Sequence, residues 1–228
     1  MPARSPDRLD VSGVVVGIVG GTGPQGRGLA MRFAAVGQPV LLGSRDGARA
    51  ALAAAEISAV GCGHVDGAQN SSVARRADVI IVAVPWAGHA QTVASLTDEL
   101  RGKIVVDCVN PIGFDQHGAY PLEVPEGSAA QQAASLLPES HVVGAFHHLS
   151  AVRLADTSIA RVDTDVLVLG DDRAATDFVQ ALADRVPGLR AIYAGRLRNC
   201  RQVEALTANL IAVNRRYRAH AGIRVTDV

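Results

Sequence analysis

The stretch IVGGTGPQGRG, residues 18–28, decides the fold, because an apolar run ends there in a cluster of glycines. The run Val14–Val19 predicts a strand that is buried on both faces. The residues from Gly26 to Val36 place Leu29, Ala30 and Phe33 at helical spacing, and Gly37 then ends the predicted helix. A strand, a glycine-rich turn and a helix in this order predict the opening unit of a dinucleotide-binding fold.

The glycines of this turn fit two related spacings. Gly21, Gly23 and Gly26 match G-x-G-x-x-G, and Gly20, Gly23 and Gly26 match G-x-x-G-x-x-G equally well. Under either spacing, glycines permit a tight turn and let the backbone approach a pyrophosphate, which then lies on amide groups at the helix N-terminus. No Gly-Lys-Ser/Thr follows, so the turn is not a nucleoside-triphosphate loop. The alternative is a purely structural turn.

Outward from this turn, short β-branched runs alternate with longer Ala-rich stretches, which predicts an α/β fold with a doubly wound parallel sheet and a smaller C-terminal α/β part. We expect a polar extension at 1–12, a dinucleotide-binding domain at 13–146 and a substrate-pocket domain at 147–228. The predicted strands are 14–19, 40–42, 64–66, 78–84, 104–109, 141–146, 165–169 and 189–193. The predicted helices are 26–36, 46–57, 87–100, 129–137, 173–186 and 202–218, and 112–127 is predicted to be a loop.

Composition excludes several classes of protein. The 228 residues carry 22 basic and 22 acidic side chains, so no global field attracts nucleic acid or an acidic membrane surface. No apolar run reaches the ~18 residues that a membrane span needs. Three scattered cysteines fit neither a disulfide framework nor a thiolate metal site, and the N-terminus lacks an apolar signal-peptide core. We therefore expect a cytoplasmic protein without a metal.

The end of the second strand indicates which dinucleotide is bound. An NAD site usually has a carboxylate there, whereas this chain has Ser44 and Arg45, with Arg49 one helical turn further on. A hydroxyl and two guanidinium groups suit the 2′-phosphate of NADP. Asp46 is expected to cap the following helix instead. NADP(H) is the prediction, and the alternative is that both arginines are simply solvated.

These motifs give the chain a family resemblance. GGTGPQGRGLA (20–30), VLLGSR (40–45) and VPW (84–86) resemble the NADPH-dependent reductases of the deazaflavin coenzyme F420. HHLSAVR (147–153) and RNCRQVEALT (198–207) continue the resemblance toward the C-terminus. It extends from about residue 14 onward and implies a Rossmann-type fold that transfers a hydride between NADP(H) and coenzyme F420. The family commonly has other residues at His148 and Ser150.

The resemblance also implies positions for both ligands. NADP would contact the turn Gly20, Gly21, Thr22, Gly23, Pro24, Gln25 and Gly26, the group Ser44, Arg45 and Arg49, and the cleft residues Val84, Pro85, Trp86, Val109 and Ala151. Coenzyme F420 would contact His147 and Leu149, with Ala221 and Gly222 closing the pocket.

Hydride transfer between two planar rings needs positioning and exclusion of water more than a catalytic triad. No catalytic residue is therefore assigned. His147 or His148 is one source of the proton that the deazaflavin takes up, and solvent is the other. Two other functions stay open, namely reduction of another acceptor (a flavin, quinone, metal ion or imine) and a non-catalytic NADP(H) sensor. The apolar positions Leu206, Leu210, Ile211 and Val213 predict that the last helix packs on the cofactor domain or on a second subunit of a homodimer.

Overall fold

The computed structural model describes residues 9–228, so most of the predicted N-terminal extension lies outside the described residues. The strands are β1 (Val16–Val19), β2 (Val40–Ser44), β3 (Val65–Gln69), β4 (Val79–Val82), β5 (Ile104–Asp107), β6 (Ile112–Asp115), β7 (Gly118–Pro121), β8 (His141–Gly144), β9 (Thr164–Gly170) and β10 (Leu189–Gly195). The helices are α1 (Pro24–Ala35), α2 (Gly47–Ala59), α3 (Asn70–Arg76), α4 (His89–Ala94), α5 (Thr97–Leu100), α6 (Ala129–Leu136), α7 (Ala151–Ala155), α8 (Arg173–Ala183) and α9 (Cys200–Tyr217).

Within residues 9–228, eight strands form one sheet in the order β3-β2-β1-β4-β5-β8-β9-β10. Neighbouring strands are parallel except β8 and β9, which pair antiparallel through Val143 with Gly170 and Gly144 with Leu169. The chain leaves β1 toward β2 on one side and returns to β4 on the other, so β1 and β4 border the switch point where doubly wound sheets bind ligands. The predicted doubly wound α/β fold is confirmed.

Helices pack on both faces of the sheet, and each face has its own hydrophobic core. Leu29 and Phe33 of α1 and Leu182 of α8 pack on one face, and Val73 of α3 and Val203 of α9 pack on the other. All four residues of β1 are buried, as its continuous apolar pattern predicts. Since β9 and β10 extend the same sheet, the sheet runs on across the expected boundary at residue 146, and the division there stays a prediction.

Two predicted segments differ from the structure. The helix predicted at 87–100 is a 3₁₀ turn followed by the separate helices α4 and α5. The hydroxyl groups of Ser95 and Thr97 donate to the carbonyls of Thr92 and Ala94 at the break between them. Such bonds from side chain to backbone compete with a continuous helix.

The loop predicted at 112–127 contains the antiparallel hairpin of β6 and β7. Asp115 forms its turn by accepting hydrogen bonds from the amides of His117 and Gly118, and Gly118 has φ +125°. The short strands and the high content of glycine, proline and acidic residues concealed this hairpin in the sequence.

Candidate dinucleotide and acceptor site

The glycine turn is tightly packed at the end of β1. Gly20 has φ +72°, and a Cβ atom there would collide with the side chain of Val84. A Cβ on Gly26 would lie 2.5 Å from the Cα of Gly21, which shows how closely α1 approaches the turn. These glycines are required by the backbone conformation and the close packing.

The middle of the turn is open. A Cβ built on Gly23 would meet only the carbonyl oxygen of Gly20, at 3.8 Å. Gly23 is also the N-cap of α1 and offers no side chain to the first-turn amides, and Pro24 follows at the first helical position. These uncapped amides form the type of helix N-terminus that binds phosphate groups.

The end of β2 presents two arginines beside a capped helix. The carboxylate of Asp46 accepts hydrogen bonds from the amides of Ala48 and Arg49, so Asp46 caps α2 as predicted. Ser44 is buried, and its hydroxyl accepts from the amide of Asp46 at 3.3 Å. Arg45 and Arg49 are exposed, and neither guanidinium has a hydrogen-bonded or ionic partner within residues 9–228. This positive, unpaired group fits a phosphate.

A cavity of about 380 Å³ lies where the chain leaves the carboxyl ends of β4, β5 and β8. It brings together nine of the residues predicted for the two ligands: Gln25, Val84, Pro85, Trp86, Val109, His147, Leu149, Ala151 and Ala221. The remaining members of the glycine turn, together with Ser44, Arg45 and Arg49, do not line the cavity. The turn is joined to β2 by a hydrogen bond from the amide of Gly21 to the carbonyl of Gly43 at 2.8 Å. Gly222 does not line the cavity, and a Cβ there would approach the hydroxyl of Thr164.

One wall of this cavity is formed by residues that were not predicted to contact either ligand. Thr207, Leu210, Ile211 and Asn214 reach it from α9. Asn214 also accepts a hydrogen bond from the amide of Ala221, which ties the C-terminal segment to the same wall. The apolar spacing of α9 signalled burial, and it did not identify the ligand cavity as the surface that these residues face.

The segment after β8 enters the cavity through a strained residue. Phe146 has φ +64°, which is rare for a bulky side chain, and it is fully buried. Its carbonyl accepts a hydrogen bond from the side chain of Gln25, which links the glycine turn to β8. The next carbonyl, that of His147, accepts from Asn110 at 2.8 Å and from Thr207 at 3.3 Å. Backbone strain that is held by its surroundings is typical of functional sites.

Burial sets the protonation of both histidines after β8. It lowers the pKa of His147 to about 4, and it lowers the pKa of His148 as well. Both rings are therefore neutral at neutral pH. Glu204 of α9 lies 3.9 Å from His147, and burial raises the pKa of Glu204 to about 7 although its oxygens accept from the amides of Ala129 and Ala130.

The cavity wall contains a hydrogen-bond acceptor without a partner in the described part of the chain. The Oδ1 atom of Asn110 is buried and has no hydrogen-bond partner in the described part of the chain, while its amide nitrogen donates to His147. A buried acceptor without a partner is costly, so it fits a ligand that brings an N–H group into the cavity. A carboxamide such as that of nicotinamide has this chemistry.

Two negative findings concern residues 9–228. No group of three or more His, Cys, Asp or Glu side chains there could hold a metal ion. No helix in that range is both long and apolar enough to cross a membrane. The sheet order, the glycine turn and the cavity place the protein in the Rossmann class of dinucleotide-binding folds.

Similarity to known proteins identifies the family within this class. Residues 15–111 match the model of the family described as NADP oxidoreductase coenzyme F420-dependent. The chain is 39% identical over 221 residues to the F420-dependent NADP reductase of Methanothermobacter thermautotrophicus, covering 93% of this chain and 95% of that one. The enzyme of the same name from Methanothermobacter marburgensis is 37% identical, covering 93% and 98%.

A crystal structure from Arthrobacter sp. FB24, assigned provisionally as an F420-dependent NADP reductase, superposes with a TM-score of 0.75. It shares 27% identity and covers 94% of this chain and all of that one. The chain belongs to the F420-dependent NADP reductase family.

Proposed function

We propose that this protein is an oxidoreductase that transfers a hydride directly between NADP(H) and coenzyme F420. The observation that carries the proposal is that residues expected for both ligands line one cavity at the carboxyl ends of β4, β5 and β8. Family membership supports the same two ligands. NADPH supplies the hydride in one direction, and the deazaflavin ring accepts it.

The glycine turn and the end of β2 would hold the dinucleotide. The open backbone from Thr22 to Gln25 would bind the pyrophosphate on the uncapped amides of α1. Arg45 and Arg49 would bind the 2′-phosphate, with the hydroxyl of Ser44 beside them. No carboxylate at this place competes for the arginines, because that of Asp46 caps α2.

The cavity residues would align the two rings. Val84, Pro85, Trp86, Val109 and Ala151 form a largely apolar cleft for the nicotinamide end, and the orphan oxygen of Asn110 would accept from its carboxamide.

His147 and Leu149, with Ala221 at the opposite wall, would contact the deazaflavin. Apolar walls exclude water and hold the donor and acceptor carbons close, which is the main demand of a hydride transfer.

The structure bears on the source of the proton. Because burial keeps His147 and His148 neutral at neutral pH, neither ring stores a proton for the deazaflavin. We propose that solvent delivers this proton at the open side of the cavity. The two histidines then shape the acceptor site without acting as acids.

The localisation and the oligomeric state of the protein are also proposals. All three cysteines are buried and free, as suits a reducing cytoplasm. Val213 and Tyr217 on α9 are exposed, and so is Phe114 on the neighbouring hairpin. We propose a cytoplasmic homodimer that covers this side of α9, and light scattering at working concentrations would test the dimer.

One assay tests the proposed reaction. Purified protein is mixed with NADPH and oxidised coenzyme F420, the loss of the deazaflavin's visible absorbance is followed, and NADH replaces NADPH in a parallel reaction. We expect rapid loss with NADPH and little with NADH. NADPH binding without any loss would overturn the deazaflavin as substrate and leave another acceptor or a sensor function.

A further inference from the structure

A buried polar pair lies behind the cavity wall and does not touch the cavity. His89, the first residue of α4, is completely buried, and its Nε2 atom lies 2.7 Å from the Oδ2 atom of Asp107 at the end of β5. The imidazole also stacks on the indole of Trp86, with ring centroids 5.5 Å apart and planes inclined by 29°. Trp86 in turn lines the cavity. His89 is thus separated from the cavity by one aromatic ring.

Both ring nitrogens of His89 face hydrogen-bond acceptors. The Nδ1 atom lies 2.9 Å from the Oε1 atom of Gln132 on α6, opposite the carboxylate of Asp107. The amide nitrogen of Gln132 donates to the carboxylate of Glu126 at 3.2 Å, which agrees with its oxygen facing His89. A neutral imidazole carries one N–H group and would leave one of these contacts as two facing acceptors. The imidazolium form, with both nitrogens donating, satisfies both contacts.

The charges around His89 agree with this form. Burial lowers the pKa of the ring, but the hydrogen bond to Asp107 and its charge, the hydrogen bond to the oxygen of Gln132 and the charge of Glu204 on α9 together raise the pKa above its ordinary value. Glu126 adds a negative charge behind Gln132. These groups come from β5, α6, α9 and the segment before α6, and they include no cation.

The same pair reaches a second wall of the cavity. The Oδ1 atom of Asp107 accepts a hydrogen bond from the amide of Val109 at 3.0 Å, and Val109 lines the cavity after β5. Asp107 thereby connects the backbone of one wall to the ring that supports Trp86 in the other. A cation stacked on an indole is attracted to its face, which favours one position of that ring.

We propose that His89 is a positioning residue, a buried imidazolium that holds the indole of Trp86 in the wall of the hydride-transfer site. The proposal rests on the proposed function for the identity of the site, and its first test does not depend on that function. His89 contacts neither ligand. It acts through Trp86, and Asp107 and Gln132 hold it in place.

The chain offers a direct optical test, because Trp86 is its only tryptophan. A protonated imidazole in contact with an indole quenches the indole's emission, so Trp86 reports the charge of His89. Emission excited at a wavelength that spares tyrosine is measured across the pH range in the wild type, in His89→Gln and in His141→Gln. His141 is the matched control, since it also pairs with a carboxylate, that of Asp172 at 2.8 Å, but it is half exposed at the start of β8.

We expect weak wild-type emission that rises only above the ordinary imidazole midpoint of about pH 6.5. His89→Gln should be brighter at every lower pH and should lack this transition, whereas His141→Gln should match the wild type. A wild-type transition at or below about pH 6.5, or unchanged emission in His89→Gln, would overturn the proposal.

A second measurement covers the case in which His89→Gln does not fold. Long-range proton–nitrogen spectra of the wild type, labelled at histidine, show whether each ring nitrogen carries a proton. Both nitrogens of His89 should keep the shift of a protonated nitrogen until the pH rises above about 6.5. Below that pH, a shift typical of a bare ring nitrogen would contradict the imidazolium directly.

Kinetics separate positioning from general stability. His89→Gln should lower kcat for deazaflavin reduction by about 10–100-fold, the scale on which a misplaced reacting ring reduces rate. KM for NADPH should change little, because the groups at the end of β2 are untouched. Equal kcat in the variant and the wild type would overturn the positioning role. Failure of the wild type to reduce the deazaflavin would instead refute the proposed function and leave the optical result standing.

Discussion

Replacing Arg45 by alanine tests the dinucleotide assignment most sharply. The Arg45 side chain is exposed beside the end of β2, has no partner within residues 9–228, and stands where the nearest carboxylate is occupied by the amides of α2. Its removal therefore breaks no internal contact described in the structure, and the fold should keep its stability. Any loss of affinity then reports the ligand alone.

The magnitude follows from the type of bond. A hydrogen bond to a charged group contributes about 1.5–3 kcal/mol, and Arg45 is solvated, so the lower half of this range applies. At about 1.4 kcal/mol per tenfold change, NADPH should bind about 10-fold to 40-fold more weakly. NADH lacks the 2′-phosphate, so its dissociation constant should be nearly unchanged.

Titration calorimetry with both nucleotides measures the two constants. Arg101→Ala is the control, because it removes the same charge from an exposed arginine in the turn before β5, at the amino ends of the strands and away from the cavity, where it makes only exposed ion pairs with Asp98 and Glu139. It should leave both affinities unchanged. Equal losses of NADPH and NADH binding in Arg45→Ala would refute the reasoning that this arginine recognises the 2′-phosphate.

Two further substitutions test the close packing of the glycine turn and the raised pKa of Glu204. Gly26→Ala inserts a Cβ 2.5 Å from the Cα of Gly21, so it should lower the free energy of unfolding by about 1–3 kcal/mol and weaken NADPH binding. Gly13→Ala, whose Cβ meets nothing within 4 Å, is the control. A stable Gly26→Ala variant that binds NADPH fully would contradict the close packing. Burial raises the pKa of Glu204 from its ordinary 4.5 to about 7, so its stabilising contribution is complete below pH 4.5 and is lost as the pH rises through 7. Denaturant unfolding is measured at pH 4.5 and pH 8 for the wild type and for Glu204→Gln. Between these pH values the free energy of unfolding of the wild type should fall by about 3 kcal/mol relative to that of the variant, at about 1.4 kcal/mol per pKa unit. A constant difference between the two proteins would contradict the shift.

The parts of the fold that depend on neighbouring residues in the sequence could be predicted. The glycine turn, the buried strand before it and the cap at Asp46 depend on residues within a few positions of one another, and the structure confirms the order of elements that they indicate. The arginines after β2 stand out because an expected carboxylate is missing there.

The parts that depend on long-range packing could not. Thr207 and Asn214 line the cavity because α9 packs against α6 and the hairpin of β6 and β7, and the spacing of α9 alone does not identify these partners. His89 meets Asp107 and Gln132 from two other elements, so its role has no local pattern. The strain at Phe146 is likewise imposed by the surrounding fold and not by the residue itself.

The proposed function requires that the hydride pass directly between the two ligands in one largely apolar cavity. NADPH carrying deuterium at one or the other face of the nicotinamide C4 is therefore incubated with the protein and oxidised coenzyme F420, and the reduced deazaflavin is analysed by mass spectrometry. Direct transfer predicts that deuterium from one of the two labelled forms is retained in the product, and that none enters from D₂O at the transferred position. Reduced deazaflavin that contains no label from either form, or no reduction at all, would contradict direct transfer.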